Sequence, residues 1–245
     1  VVERLLAVPG VDANQAMHNG ATALLAAAEN GHDAVVERLL AVPGVDANQA
    51  MHNGATALLA AAQNGHDAVV ERLLAQPGVD AGLAMNDGAT PLFLAARDGH
   101  DAVVERLLAV PGVDANQPNQ SGATPLLVAA QNGHEPCVRA LIEAKAGLEA
   151  IESQMGGTAL LWASAKGYDQ VVRALIDAGA NTDCTGRDGN TPLALARDAG
   201  HAGVCAVLGA RDVCVWSLPA VANLPRGPIE NLMSTFTPTS TIQAS

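Results

Sequence analysis

Aromatic side chains are almost missing from this sequence. Two Phe, two Trp and one Tyr make up 2% of its 245 residues. Hydrophobic residues still reach 49%, so a core exists and must be built from Ala, Leu and Val, whose small size suits close helix packing. Positive charge is also scarce: 13 Lys and Arg stand against 25 Asp and Glu, a formal net charge of −12. Nucleic-acid binding leans on basic side chains that displace phosphate counterions, so neither nucleic acid nor an anionic membrane surface is expected as a partner. No run of about 20 apolar residues is present to cross a bilayer, and membrane insertion is not expected. No secretory leader opens the chain. It begins at Val1 rather than Met, which suggests the interior of a longer protein. The four cysteines, Cys137, Cys184, Cys205 and Cys214, form no C-x-x-C pair and no zinc-ligand spacing. They read as small apolar residues in a reducing, intracellular setting, the cytoplasm or alternatively the nucleus.

What the chain does contain is repetition, the first thing to seek in a sequence. Thr22, Thr56, Thr90, Thr124, Thr158 and Thr191 recur at spacings of 34, 34, 34, 34 and 33. Each follows a glycine two residues earlier, from Gly20 to Gly189. A second glycine recurs at Gly31, Gly65, Gly99, Gly133, Gly167 and Gly200. His32, His66, His100, His134 and His201 follow five of these, and Tyr168 follows the other.

Residues 88–120 show what one unit predicts. Thr90 can cap a helix through its hydroxyl, and Pro91 suits the first helical position. A short apolar helix follows over Leu92–Ala96, stopped by Gly99 in a left-handed conformation. Asp101 opens a second helix, its charge favourable near the positive end. Val103, Val104, Leu107 and Leu108 form the buried stripe, and Pro111-Gly112 starts a long turn. One such pair cannot bury its apolar face alone, so neighbours must stack into a solenoid.

The segments Gly-Ala-Thr-Pro-Leu at 88–92, Leu-Ala-Ala at 94–96, Gly-His at 99–100 and Val-Val-Glu-Arg-Leu-Leu at 103–108 resemble the ankyrin repeat, and the resemblance covers about residues 1 to 210. It implies an all-α ankyrin-repeat solenoid of stacked helix-turn-helix units with β-turn or hairpin tips. Two departures stand out. The family's His after Thr-Pro-Leu, which ties neighbouring loops by hydrogen bonds, is replaced by Leu25, Leu59, Phe93, Leu127, Leu161 and Ala194; apolar packing is the expected compensation. Four units run one residue long, and the helix-to-turn junction, as at Ala41-Val42-Pro43-Gly44, is the expected place.

The expected organisation is a partial repeat at 1–19, with only its second helix and turn. Six repeats follow at 20–53, 54–87, 88–121, 122–155, 156–188 and 189–210. A cap remnant and tail, expected to be disordered, occupy 211–245. Residues 1–19 carry no polar outer face, so further repeats are expected upstream.

Signs of catalysis are weak. His134-Glu135-Pro136-Cys137-Val138 begins like a zinc-protease helix, but the second His is missing at Val138. The Gly-His histidines repeat roughly 10 Å apart, one helix diameter, which is too far for a shared metal; packing or capping at the inter-helix turn is the better account. No phosphate-binding glycine motif occurs. The chain reads as non-enzymatic, with no cofactor and no metal.

The resemblance implies a monomeric scaffold or adaptor that holds a protein partner on a concave face lined by turn tips and first helices. The tips are His18 and Asn19, His52 and Asn53, Asn86 and Asp87, Gln120 and Ser121, Gln154 and Met155, and Arg187 and Asp188. First-helix ends add Glu29 and Asn30, Gln63 and Asn64, Arg97 and Asp98, Gln131 and Asn132, and Lys166. For most of these an ordinary solvated role is expected, since few interface residues carry the energy. Residues 1–41 match 35–75 except that Glu29 becomes Gln63, so specific recognition is expected in the third to fifth repeats, where Met155, Trp162 and Tyr168 cluster. The competing readings are a recognition arm of a larger ligase or kinase, and a repeat expansion without a fixed partner. The resemblance also implies that Asn14, Asn48 and Asn116, in Val-Asp-Ala-Asn turns, are acceptors for an asparagine hydroxylase. Mass spectrometry of the cellular protein should then find one added oxygen on these residues, and its absence would end that expectation.

Overall fold

The computed structural model describes residues 12–153 and 156–209. Most of the partial repeat (residues 1–11), the tip residues Gln154 and Met155, and the tail with Cys214 lie outside the described residues. Twelve helices and no strands occur among those described. They alternate as first and second helices of each repeat: α1 Ala23–Glu29, α2 Asp33–Leu40, α3 Ala57–Gln63, α4 Asp67–Leu74, α5 Pro91–Asp98 and α6 Asp101–Leu108. The second half continues with α7 Pro125–Asn132, α8 Glu135–Glu143, α9 Ala159–Lys166, α10 Asp169–Asp177, α11 Pro192–Asp198 and α12 Ala202–Val207. First helices pack on first helices and second helices on second, giving two parallel rows.

Each first helix starts where the sequence places it. The hydroxyl of Thr90 accepts a hydrogen bond from the Phe93 backbone N–H at 3.1 Å, and the other five threonines do the same for the residue three further on. Pro91, Pro125 and Pro192 open their helices. Gly99 closes α5 at φ 82°. First and second helices together span only 6–9 residues each, too few to persist alone in water, so packing must hold them.

That packing is strictly periodic. Val36, Val70, Val104, Val138 and Val172 are fully buried at 34-residue intervals, as are Ala28, Ala62, Ala96 and Ala130. An alanine at the contact lets adjacent first helices approach closely. Leu24, Leu58, Leu92, Leu126 and Leu160 fill the space between the rows, in one continuous cluster. Of the residues that replace the family's histidine, Leu25, Leu59, Phe93, Leu127 and Leu161 are buried too, and Ala194 is half-buried. Leu59, Phe93 and Leu127 pack with Ala89, Leu94, Ala123 and Val128, and Leu25 packs with Ala21 and Ala60.

The Gly-His histidines tie repeat to repeat. Nε2 of His66 donates to the Glu29 carbonyl at 3.0 Å, His100 to Gln63 at 2.9 Å, His134 to Arg97 at 3.0 Å and His201 to Ala165 at 3.0 Å. Each bond satisfies a carbonyl near the end of the preceding first helix, where helices leave acceptors orphaned. The packing or capping at the inter-helix turn expected from sequence is directed at the preceding repeat, and no histidine side chain caps its own helix. The imidazole reaches backward to its neighbour instead. Its ring lies so close under the preceding repeat's glycine that a methyl group on Gly99 would stand 2.5 Å from His134 Nδ1. Tyr168 fills the same place against Gly133.

The long turns carry a second set of ties. The Asn14 amide donates to the Gly44 carbonyl at 2.7 Å and accepts from the Asp46 N–H at 2.9 Å. Asn48 repeats both bonds with Gly78 and Asp80, and Asn116 accepts from the Gly147 N–H at 2.6 Å. In the first three repeats the turn after the second helix runs through the Pro-Gly pair, as the sequence suggests. The fourth repeat departs from that expectation. Its second helix is one residue longer, and the turn passes through Lys145 at φ 64°. The tip-to-tip backbone bond, made by His52, Asn86 and Gln120 in turn, is made next by Ser153, 33 residues after Gln120. Thr158 nevertheless follows Thr124 by 34, so the added residue sits between Ser153 and Thr158. A surface tip absorbs it with little loop-closure cost.

A charge ladder crosses the second row. Arg72 is paired with Asp33 and Glu37 of the preceding repeat. Arg106 bonds Asp67 at 2.8 Å and Glu71 at 3.3 Å. The Arg106 hydrogen bond holds the Asp67 carboxyl below its ordinary range against a smaller burial effect. The next step would place a basic residue at 140, opposite Asp101 and Glu105, and Ala140 stands there.

Two stability predictions follow from these contacts. Gly99→Ala should destabilise by at least about 1–3 kcal/mol, from left-handed backbone strain plus the His134 clash, read by urea unfolding. Ala140→Arg should stabilise by about 0–1 kcal/mol at low salt. By analogy with Asp67, whose folded pKa is lowered, that gain should be complete above about pH 4 and disappear as pH falls through the lower folded value. An unchanged midpoint in Gly99→Ala, or a destabilising Ala140→Arg at pH 7, would contradict this packing.

Candidate functional site

The tips project from the start of the first-helix row. Each tip is a hairpin-like turn, as in Met17 N–H to Ala21 O at 2.8 Å and Gly20 N–H to Met17 O at 2.9 Å. The positive φ of Gly20, 89°, explains the glycine there. Its Cα also faces the next tip so closely that a methyl group would stand 2.9 Å from Met51 Cα.

Most sequence-predicted positions are exposed along this edge: His18, Asn19, His52, Asn53, Asn86, Asp87, Asp98, Gln120, Asn132, Lys166, Arg187 and Asp188. Arg97, Ser121 and Gln131 are half-buried. Many of them are also structural. Asn19, Asn53, Asp87 and Asp188 turn a side-chain oxygen back onto a backbone N–H two residues on. Asn86 donates to the His52 carbonyl, Gln120 to Asn86, and Arg187 to Ser153, so tip holds tip. Asn132 donates to the Arg97 carbonyl. Arg97 makes a two-pronged pair with Asp98 at 2.9 and 2.7 Å, which raises the arginine's pKa above its ordinary value. An Asn190 hydrogen bond lowers that of Asp188. Alanine at Asn86, Asp87 or Arg97 would therefore disturb the scaffold as well as any contact.

Between tips and first helices runs a series of clefts. One of about 490 Å³ spans the first three repeats, lined by Met17, Met51 and Met85 with Leu25, Leu59, Asn19, Asn53 and Gln63. Another of about 240 Å³ lies among Phe93, Leu127, Val128, Gln131, Glu152 and Trp162. A third of about 330 Å³ lies on the other side of Trp162, with Leu161, Ala165, Leu195, Arg187 and Asp188. Trp162 is the partition between two clefts, and its Nε1 is buried without a hydrogen-bond partner. Tyr168, grouped with Trp162 by sequence, is elsewhere: its ring packs behind Gly133, past the end of α9.

Sequence reasoning missed the residue three before each tip glycine. Met17, Met51, Met85 and Asn119 occupy it at 34-residue intervals, and Glu152 takes the same place by its backbone bonding. The periodicity was readable, but methionines that give way to polar residues resemble neither a core position nor a charged tip. Met17, 64% exposed, is the clearest such signal.

Among the described residues no three His, Cys, Asp or Glu side chains converge as metal ligands would. His134, of the protease-like segment, spends its Nε2–H on the Arg97 carbonyl. No helix among the described residues is long and apolar enough to cross a membrane.

The family model described as ankyrin repeats (3 copies) matches residues 1–85, 70–151 and 147–215. Among solved structures, the crystal structure of EF0377, an ankyrin repeat protein, superposes with a TM-score of 0.71 at 24% identity, covering 81% of this chain and 98% of that one. No curated protein matches the sequence.

The cysteines give a direct chemical check on this geometry. Cys137 is fully buried; burial first, and then the nearby Asp101 and Glu105, push its thiol up to about 11. Only about one thiol in a thousand is then ionised at pH 8. Cys184 is half-buried, with a smaller upward shift led by burial. Labelling with a maleimide at pH 8, read by peptide mass spectrometry, should modify Cys184 well before Cys137 or Cys205. Equal rates would contradict the packing of α8.

Proposed function

The chain belongs to the ankyrin repeat family, whose repeats are protein–protein interaction modules, and on that premise we propose that this one holds a protein partner along its tips and first helices. The single observation that carries the reading is the series of apolar clefts on that edge, each bordered by amide or charged side chains. Interfaces concentrate energy where apolar pockets sit inside a polar rim. The opposite row offers paired charges instead, and exposed ion pairs contribute little to affinity. The partner's anchors are apolar or aromatic side chains seated between adjacent first helices. The tip residues set their register, and recognition centres on the third to fifth repeats. There the clefts differ from one another, whereas in the first two repeats Met17 and Met51, and Asn19 and Asn53, repeat the same lining.

Residues that hold one tip to the next make poor probes, so the test uses cleft side chains free of those ties. Random dodecamer peptides displayed on phage are selected on the immobilised chain, and their affinities are measured by anisotropy. Trp162→Ala combined with Gln131→Ala should weaken the selected peptides at least about tenfold, while Arg173→Ala and Asp177→Ala on α10 should leave them unchanged. The reverse pattern, with circular dichroism native in all variants, would overturn the reading.

A further inference from the structure

We propose that the cleft spanning the first three repeats receives a basic amphipathic α-helix of the partner protein, whose apolar side chains recur about every seven residues. The inference rests on the binding edge proposed above and names the occupant of its uniform half.

The floor of this cleft differs from that of later repeats. The first-helix position held by Leu94, Val128 and Trp162 is alanine in the first two repeats, Ala26 and Ala60, and both line the cleft. With only methyl groups there, the trough runs across the repeats at about 490 Å³. Further along, the larger residues occupy that space, and Trp162 partitions it. The methionine wall ends at the same point: Met17, Met51 and Met85 give way to Asn119 and to Glu152, which is 7% exposed. Met17 stands open to solvent, Met51 packs on Leu25 and Ala60, and Met85 packs on the cluster of Leu59 and Phe93. Unbranched thioether side chains of this kind adapt their shape to an apolar guest.

Spacing and lining select that guest. Adjacent first helices pack roughly 8–10 Å apart, so equivalent seats recur at about that interval. Side chains on one face of an extended strand recur every ~7 Å, which falls out of step. Seven residues of α-helix advance ~10.5 Å, and three of polyproline ~9.3 Å. Polyproline ligands dock in aromatic-lined grooves, and no aromatic ring lines this cleft. A methionine-walled groove suits the apolar face of an amphipathic helix, with one anchor on either side of Met51. Charge sets the rest of the guest. Glu29 is the one charged residue in the lining, and the others that reach the rim carry amides. The chain's net charge is −12, so Lys and Arg on the flanks of the helix complement both the rim and the whole molecule.

The test titrates the folded chain into fluorescein-labelled peptides of about 18 residues at physiological salt, followed by anisotropy. The first peptide is built of alanine and lysine with leucine at every seventh position. The second has the same composition with its leucines five apart, and the third carries glutamate for lysine. The first should bind saturably and at least about tenfold more tightly than either of the others. Ala26→Leu combined with Ala60→Leu, which installs the residue found at Leu94, should reduce the first peptide to the level of the second. Met51→Asn, which copies Asn119, should weaken it at least about fivefold; it decides the matter if the alanine variant fails to fold. Arg173→Ala on α10 should change nothing. Equal affinity for the first peptide and either other would overturn the proposal, as would native affinity in the cleft variants or an equal loss in Arg173→Ala. Dodecamers that bind through Trp162 and Gln131, with no helical peptide bound, would sink this proposal alone and leave the broader reading standing.

Discussion

The contact between one repeat and the next is the interaction on which everything else rests. A first helix of seven or eight residues has no stability of its own, and its apolar stripe needs another repeat on either side. Full burial of alanine and valine at 34-residue intervals is the packed form of that need. Polar bonds accompany it at three levels: histidine to helix-end carbonyl, asparagine across the long turns, and backbone to backbone between tips. Each satisfies a group that the repeat architecture would otherwise leave orphaned. Order in the chain is thus quasi-one-dimensional, and its stability is set by neighbours.

The same contact makes the surface. Where adjacent first helices meet at alanines, the residues beside them cannot close the gap, and clefts open between the tips. Packed first-helix side chains such as Leu59, Phe93 and Leu127 keep their floor apolar, while the tip positions vary. Methionine at the start of the series gives way to asparagine at 119 and glutamate at 152. Trp162 is the one indole among the described residues, and it divides two clefts of different charge. The scaffold is uniform where repeats touch and individual where they do not.

Much of this was legible in the sequence. The threonine caps, Gly99 as a left-handed stop and the stripe of Val103, Val104 and Leu107 are local decisions, set by backbone chemistry and helical period, and they fall where expected. What the sequence could not reveal is contact across repeats. His100 can be placed at an inter-helix turn from sequence, but its bond to the Gln63 carbonyl of the preceding repeat cannot. Asn86 and Gln120 look like exposed contact residues and prove to hold the tips together. The fourth repeat's added residue belongs to its tip rather than its helix-to-turn junction, because a compensating difference after α8 hides the shift. Glu152 escaped notice because burial, not identity, makes it unusual.

The central claim is that each repeat is held by those beside it. Native-state hydrogen exchange on Leu92→Ala measures this directly. Leu92 is 1% exposed in the main core cluster, and its truncation removes about 2–5 kcal/mol of packing. Protection should fall in the second and fourth repeats, at the amides of α3 and α7, along with the third. Loss of protection confined to residues 88–121 would show that the repeats stand by themselves, and would contradict the account.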